Sequence, residues 1–217
     1  MKTAIIAGAS GLIGSQLLNN LLESNQYDKI VALVRKEIPI QSPKLIQVIV
    51  DYNNLQFITD HLKCDDVFCC LGTTIKKAGS QDEFYKVDFK YCLNLAIETH
   101  QIGASNFYLV SSLGANPKSK VFYNSVKGKL ENAINNIGFK SFYIFRPSIL
   151  LGNRNEFRLG EKIMQIILMP LSKIMFGSMK KYAAIESKQV AKAMYYLAIS
   201  NNKTGIQIIT NEQMLDL

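Results

Sequence analysis

Short apolar runs alternate along the chain with longer stretches whose apolar positions recur at helical spacing. Thr3–Ala7 is continuously apolar after its first residue, as expected of a strand covered on both faces. Leu17, Leu18, Leu21 and Leu22 then fall at i, i+1, i+4 and i+5, which predicts a helix over Leu12–Leu22. Further strands are predicted at Ile30–Val34, Leu45–Val50, Val67–Leu71, Phe107–Val110 and Phe142–Phe145, with a late one at Gly205–Ile209. Helices are predicted at 55–62, from a Ser80 cap to Ile102, and at Ser119–Ile137, 161–168 and Ser187–Ile199. Ser80 and Glu83 have the S-x-x-E form of a capping box.

Strands that alternate with helices predict an α/β fold with a doubly wound parallel sheet of the Rossmann type and strand order 3-2-1-4-5-6. The 217 residues are read as one domain, with 148–185 as a small substrate or lid region. Ligands of such sheets bind at the carboxyl ends of the strands, where the strand order reverses. The loops 8–14, 35–36, 72–77, 111–114 and the segment from Pro147 are expected to meet there.

The first loop carries the expected chemistry. Gly8-Ala9-Ser10-Gly11-Leu12-Ile13-Gly14 joins a strand to a helix. In this motif the first glycine permits the turn, the second lets a pyrophosphate approach, and the third lets the helix pack on the strand. The amides of Ser10 to Gly14 then face the anion. At the end of the second strand stands Arg35, followed by Lys36, where an NAD-binding chain has an acidic residue. A guanidinium there suits a ribose 2′-phosphate, so NADPH is expected over NADH. Asp51 is open to two readings: contact with the adenine edge, or a cap on the following segment.

The fifth strand ends in Ser111-Ser112, and Tyr123-x-x-x-Lys127 follows on a predicted helix, with both side chains on one face. An ammonium near a phenol stabilises the phenolate, which lets a tyrosine exchange a proton with a carbonyl or alcohol oxygen.

Together with Cys70-Leu71-Gly72-Thr73-Thr74 and Phe145-Arg146-Pro147-x-x-Leu150-Leu151, these segments resemble the short-chain dehydrogenase/reductase superfamily. The resemblance is to its atypical branch, which includes the Tat-interactive oxidoreductase-like proteins. It implies an NADPH-binding fold in which Ser112 polarises a small carbonyl substrate and Tyr123 is the acid/base. Lys127 would hold the nicotinamide ribose and tune Tyr123. Gly72 and Thr73 would line the cofactor, with Ser111 beside them, and the backbone after Pro147, at Ile149, would meet the carboxamide. Members of that branch with regulatory roles leave a second reading open: an NADPH sensor acting through a protein partner.

Composition narrows the remaining classes. The formal charge of +8 comes from dispersed lysines, which argues against a nucleic-acid surface. The cysteines Cys64, Cys69, Cys70 and Cys92 form no CxxC pair and no metal-ligand spacing with His61 or His100. They read as reduced structural thiols, which points to a cytoplasmic protein, and no apolar run is long enough for a membrane span. The methionine-rich apolar segment 163–176 is expected to be core, a lid, or a surface for a protein partner or a second copy.

Overall fold

A computed structural model describes residues 2–55, 63–152, 177–200 and 203–217. The predicted helix over 161–168, the apolar segment 163–176, most of the predicted helix 55–62, and His61 lie outside the described residues.

The strands are β1 (Lys2–Ala7), β2 (Tyr27–Val34), β3 (Leu45–Ile49), β4 (Asp66–Cys69), β5 (Asn106–Val110), β6 (Ser141–Arg146), the short β7 (Leu150–Leu151) and β8 (Ile185–Glu186), and β9 (Gly205–Thr210). Seven of them form one parallel sheet in the order β3-β2-β1-β4-β5-β6-β9. That is the expected doubly wound order with the late strand added at the edge. β7 and β8 pair separately and join the chain before residue 153 to the chain after 176.

The sheet is covered on both faces, which is why β1 and β2 read as continuous apolar runs. On one face α1 (Leu12–Glu23) packs against α6 (Ser187–Ser200), over Ala4, Ile6, Ile30, Ala32, Phe68 and Tyr108. On the other, α4 (Cys92–Gln101) and α5 (Phe122–Asn135) cover Ile5, Val31, Val67, Phe107 and Ile144. Cys69 and Cys70 belong to opposite faces, as their alternation in a strand requires. A final short helix, α7 (Asn211–Leu215), follows β9 without a break. Its capping box is made by Thr210 and Gln213.

Two expectations need correction. The helix predicted from Ser80 to Ile102 is not one α-helix. The short α2 (Ile75–Ala78) precedes it, and Ser80 caps α3 (Gln81–Tyr85) by accepting the Glu83 N–H. The chain then passes through a π-helical stretch, Lys86–Tyr91, before α4. A π turn inserts about one residue into the helical repeat, and an amphipathic pattern read at 3.6 residues per turn does not register it. The helix predicted from Ser119 begins at Phe122, because the Ser119 hydroxyl accepts the Val121 N–H and holds those residues in a turn.

The amino ends of the strands are held by a buried carboxylate. Asp66 accepts hydrogen bonds from the Tyr27 hydroxyl (2.6 Å), Lys2 Nζ (3.1 Å) and Asn106 Nδ2 (2.7 Å), which ties β4 to β1, β2 and β5. Burial, and then the adjacent carboxylate, push the Tyr27 phenol well above its ordinary range, so it stays a donor. Tyr27→Phe removes one hydrogen bond to a buried charge and should cost about 1.5–3 kcal/mol. Urea unfolding should show a lower midpoint with an unchanged slope, whereas an unchanged midpoint would mean that Lys2 and Asn106 suffice.

Candidate functional site

Strand order reverses between β1 and β4, and the loops predicted to converge do meet at their carboxyl ends. Gly8 has φ +84°, and a Cβ there would lie 2.5 Å from the Cys70 carbonyl oxygen. A Cβ on Gly14 would overlap the Gly8 carbonyl. Gly11 donates to that same carbonyl (2.9 Å) and forms the start of α1. No side chain caps α1, so the amides of Leu12 and Ile13 at its start are unclaimed by a capping group. Ser10 and Gly11 are exposed, Leu12 is half-buried, and Ile13 and Gly14 are buried. The turn is therefore a cradle whose depth depends on the missing Cβ atoms, as a bound pyrophosphate requires.

A tyrosine that the sequence did not single out braces this cradle. The buried Tyr52 hydroxyl donates to the Leu33 carbonyl (2.8 Å), linking the chain after β3 to β2 at the residue paired with Ala7, next to the glycine turn. Its ring stacks on Tyr91 at 5.6 Å. Arg35 and Lys36 are exposed at the end of β2, and Arg35 makes no ion pair among the described residues. Asp51 is exposed and bonds locally. Its Oδ1 accepts from the Asn53 backbone N–H (2.9 Å) and side-chain amide (2.7 Å), which lowers its pKa.

Across the reversal, Ser112 ends the chain after β5. It is buried, and its Oγ has no hydrogen-bond partner among the described residues. Its neighbour Ser111 is committed elsewhere: its hydroxyl donates to Glu131 Oε1 (2.5 Å). Arg146 forks onto the same carboxylate, with Nε at 3.1 Å and Nη2 at 2.5 Å, fastening β5, α5 and β6 together. The Ser111 N–H is used as well, donating to the Phe145 carbonyl (2.7 Å).

Tyr123 and Lys127 lie one turn apart on α5, Tyr123 half-buried against Phe84 and Lys127 fully buried. Gly128 explains the close approach of the loop below them, because a Cβ there would overlap the backbone of Asn116 and Pro117. Lys127 Nζ meets Asp88 Oδ1 at 2.8 Å, and the other Asp88 oxygen accepts the Thr73 N–H at 2.7 Å. Burial alone would pull the ammonium pKa down. Asp88, with Tyr123 and Cys92, outweighs it and holds the pKa above the ordinary lysine value. The sequence reading missed Asp88, which lies in the π-helical stretch.

Thr73 reaches this site with its N–H already used, and Gly72 is exposed, its Cα close enough to Asp88 that a Cβ would sit 3.4 Å from Oδ1. After β6, the Pro147 carbonyl accepts from Leu113 (2.8 Å) and the Ile149 carbonyl from Ile185 (2.9 Å). This chain then crosses the phosphate turn: a Cβ on Gly152 would come within 2.6 Å of Leu12 Cδ1. The buried Asn211 holds the crossing in place by accepting the Ser148 N–H (3.0 Å) and donating to the Ala183 carbonyl (2.8 Å). Among the described residues no cluster of His, Cys, Asp or Glu could hold a metal, and the thiols of Cys64 and Cys70 are pushed up to about 12 by burial.

Fold and site define a class: a Rossmann-type protein built to hold a dinucleotide across the reversal of its sheet. Residues 4–132 match the NAD dependent epimerase/dehydratase family, and the chain belongs to that family, within the atypical, Tat-interactive-protein-like short-chain dehydrogenase/reductases. It is 33% identical to the protein HTATIP2 of Rattus norvegicus over 224 residues, covering 100% of this chain and 89% of that protein. It is 30% identical to the mitochondrial protein FMP52 of Saccharomyces cerevisiae over 220 residues, covering 98% and 95%. Among solved structures it is similar to MoeE5 in complex with UDP-glucose and NAD (TM-score 0.71, 16% identity, 99% and 80% covered). It is also similar to the human epimerase family protein SDR39U1 with NADPH (TM-score 0.62, 16% identity, 97% and 77% covered). The family binds nicotinamide cofactors.

The FMP52 relatives overturn one expectation. Those of S. cerevisiae, Debaryomyces hansenii and Eremothecium gossypii are named as mitochondrial, which conflicts with reading this chain as cytoplasmic. That reading rested on cysteines taken as reduced structural thiols, and reduced thiols do not separate one reducing compartment from another.

Gly14→Ala tests the cradle. The methyl must displace the Gly8 carbonyl, and affinity for a nicotinamide dinucleotide, read by cofactor fluorescence, should fall roughly tenfold or more. Undiminished binding by a folded Gly14→Ala protein would place the pyrophosphate elsewhere.

Proposed function

We propose that this protein is an NADPH-dependent reductase of a small, partly apolar carbonyl compound, with Ser112, Tyr123 and Lys127 as its catalytic residues. The observation that carries this reading is the Ser112 hydroxyl. It is a buried donor without a partner among the described residues, just after β5 at the carboxyl edge of the sheet. Burying an unpaired hydroxyl costs about 1–3 kcal/mol, a cost more readily retained where a ligand atom completes the bond.

The residues present fit the cofactor. Gly8, Gly11 and Gly14 leave room for the pyrophosphate, and the start of α1 supplies amides and the positive end of its dipole. Arg35, exposed and unpaired among the described residues, is available for a 2′-phosphate, and no acidic side chain stands in its place. Gly72, Thr73 and the backbone around Ser111, Pro147 and Ile149 would line the nicotinamide half. Asp51, occupied by Asn53, retains one carboxylate oxygen for the adenine edge.

When bound, the cofactor supplies the hydride. Ser112 would donate a hydrogen bond to the substrate oxygen and polarise the carbonyl. Tyr123 would give its phenolic proton to that oxygen as negative charge develops there. The buried ammonium of Lys127 would stabilise the phenolate left behind. Solvent would then return the proton to Tyr123.

NADPH oxidation against a panel of small aldehydes and ketones tests the reading. Tyr123→Phe should lower kcat about 100- to 10,000-fold, the usual range for a general acid, while leaving NADPH binding in place. Activity unchanged in Tyr123→Phe overturns the mechanism, and NADPH binding without turnover on any carbonyl favours the sensing alternative. The cofactor assignment has its own test. The wild type should bind NADPH more tightly than NADH, and Arg35→Asp should reverse that order. Equal affinity of the wild type for both would remove the role given to Arg35.

A further inference from the structure

Asp88 is the carboxylate paired with Lys127. It is 1% exposed, it faces a lysine just as deeply buried, and it lies in the only described stretch where the helical repeat changes to π. π turns inside α-helices concentrate at functional sites. The two Asp88 oxygens reach two different elements. Oδ1 pairs with Lys127 on α5 (2.8 Å), and Oδ2 accepts the Thr73 N–H in the loop after β4 (2.7 Å). Gly72 packs against this contact: a Cβ there would lie at ordinary van der Waals distance, 3.4 Å from Oδ1 and 3.9 Å from Lys127 Nζ.

We propose that Asp88 is a positioning residue: it holds Lys127 charged and in place at the foot of the Tyr123 face, and it locks the Gly72–Thr73 loop to that lysine. This rests on the reading of Lys127 as a site residue.

A buried ammonium without a counter-charge loses its proton readily, because low polarity favours the neutral amine. Asp88 is the first source of that counter-charge, and Tyr123 and Cys92 add to it only as anions. Tyr123 and the Cys92 thiol are neutral when protonated, and Glu131, one turn further along α5, is taken by Arg146 and Ser111. Asp88 is therefore the group on which the charge of Lys127 depends. Its hold on Thr73 adds a second consequence. The loop that would line the cofactor cannot shift without loosening the lysine, so loop position and lysine charge change together.

The test is the titration of Lys127 in the cofactor-free full chain. Protein carrying 13C-lysine gives an ε-carbon signal for Lys127, identified by its absence in Lys127→Arg. In the wild type this signal should not titrate below pH 11 or so. In Asp88→Asn it should titrate about two or more pH units lower than in the wild type, given the size of shift that burial imposes on an unpaired lysine. An unchanged titration in Asp88→Asn overturns the proposal. If Asp88→Asn fails to fold, the double variant Asp88→Asn/Lys127→Met decides, because it removes the orphaned charge as well. It should recover a cooperative unfolding transition, and a double variant as disordered as the single one overturns the proposal. Because this readout needs no substrate, it stands apart from the reductase reading. Absent turnover with an altered lysine titration would refute that reading and keep this one, and the reverse result would do the opposite.

Discussion

The close approach of β1, β4 and α1 governs the rest of the molecule. Gly8 turns the chain out of β1 at positive φ while its would-be Cβ faces the carbonyl of Cys70, and Gly14 brings α1 down onto the carbonyl of Gly8. With those two contacts, β1 and β4 lie side by side and the helices diverge to opposite faces. The reversal leaves a crevice at the carboxyl ends of both strands. Everything attributed to the site uses that crevice. The start of α1 and Arg35 stand on one side, and Ser112, Tyr123 and Lys127 stand on the other. Tyr52 ties the chain after β3 to β2 at Leu33, the residue paired with Ala7.

Buried charge is arranged differently at the two ends of the sheet. At the amino ends, Asp66 gathers Lys2, Tyr27 and Asn106, and each partner sits on or beside a strand that Asp66 helps align. Three partners for one carboxylate make a satisfied network with a structural role. At the carboxyl ends, Glu131 and Arg146 form a similarly complete fork with Ser111. Lys127 and Asp88 differ from both. They form a pair that crosses from a helix to a π turn and a loop, at the same edge of the sheet as a buried serine hydroxyl with no partner among the described residues. A satisfied structure surrounds a small unsatisfied one, and that contrast marks where a ligand belongs.

Much of this arrangement is legible in the sequence, and the reasons are local. Continuous apolar runs mark β1 and β2 because parallel strands are buried on both faces, and the strand–glycine–helix order marks the crevice because the glycines are sterically obligatory. Tyr123 and Lys127 can be paired from their spacing alone, since a helix puts i and i+4 on one face. Asp88 cannot be found this way. Its partners are 15 and 39 residues distant in sequence, at Thr73 and Lys127, and its placement depends on a π turn that leaves no periodic signature. Tyr52 is hidden for the same reason: its tie to Leu33 is made only when the sheet closes. Ser111 and Ser112 are adjacent in sequence, and Glu131 sets their hydroxyls apart: it takes that of Ser111, while that of Ser112 has no partner among the described residues.

A crystal structure grown with NADPH would test the account most directly. The pyrophosphate should lie on the start of α1 and the 2′-phosphate against Arg35. The nicotinamide ring should face the Ser112 and Tyr123 hydroxyls, with Lys127 still paired to Asp88. A nicotinamide ring lying away from Ser112 and Tyr123, or a crevice that excludes the cofactor, would contradict it.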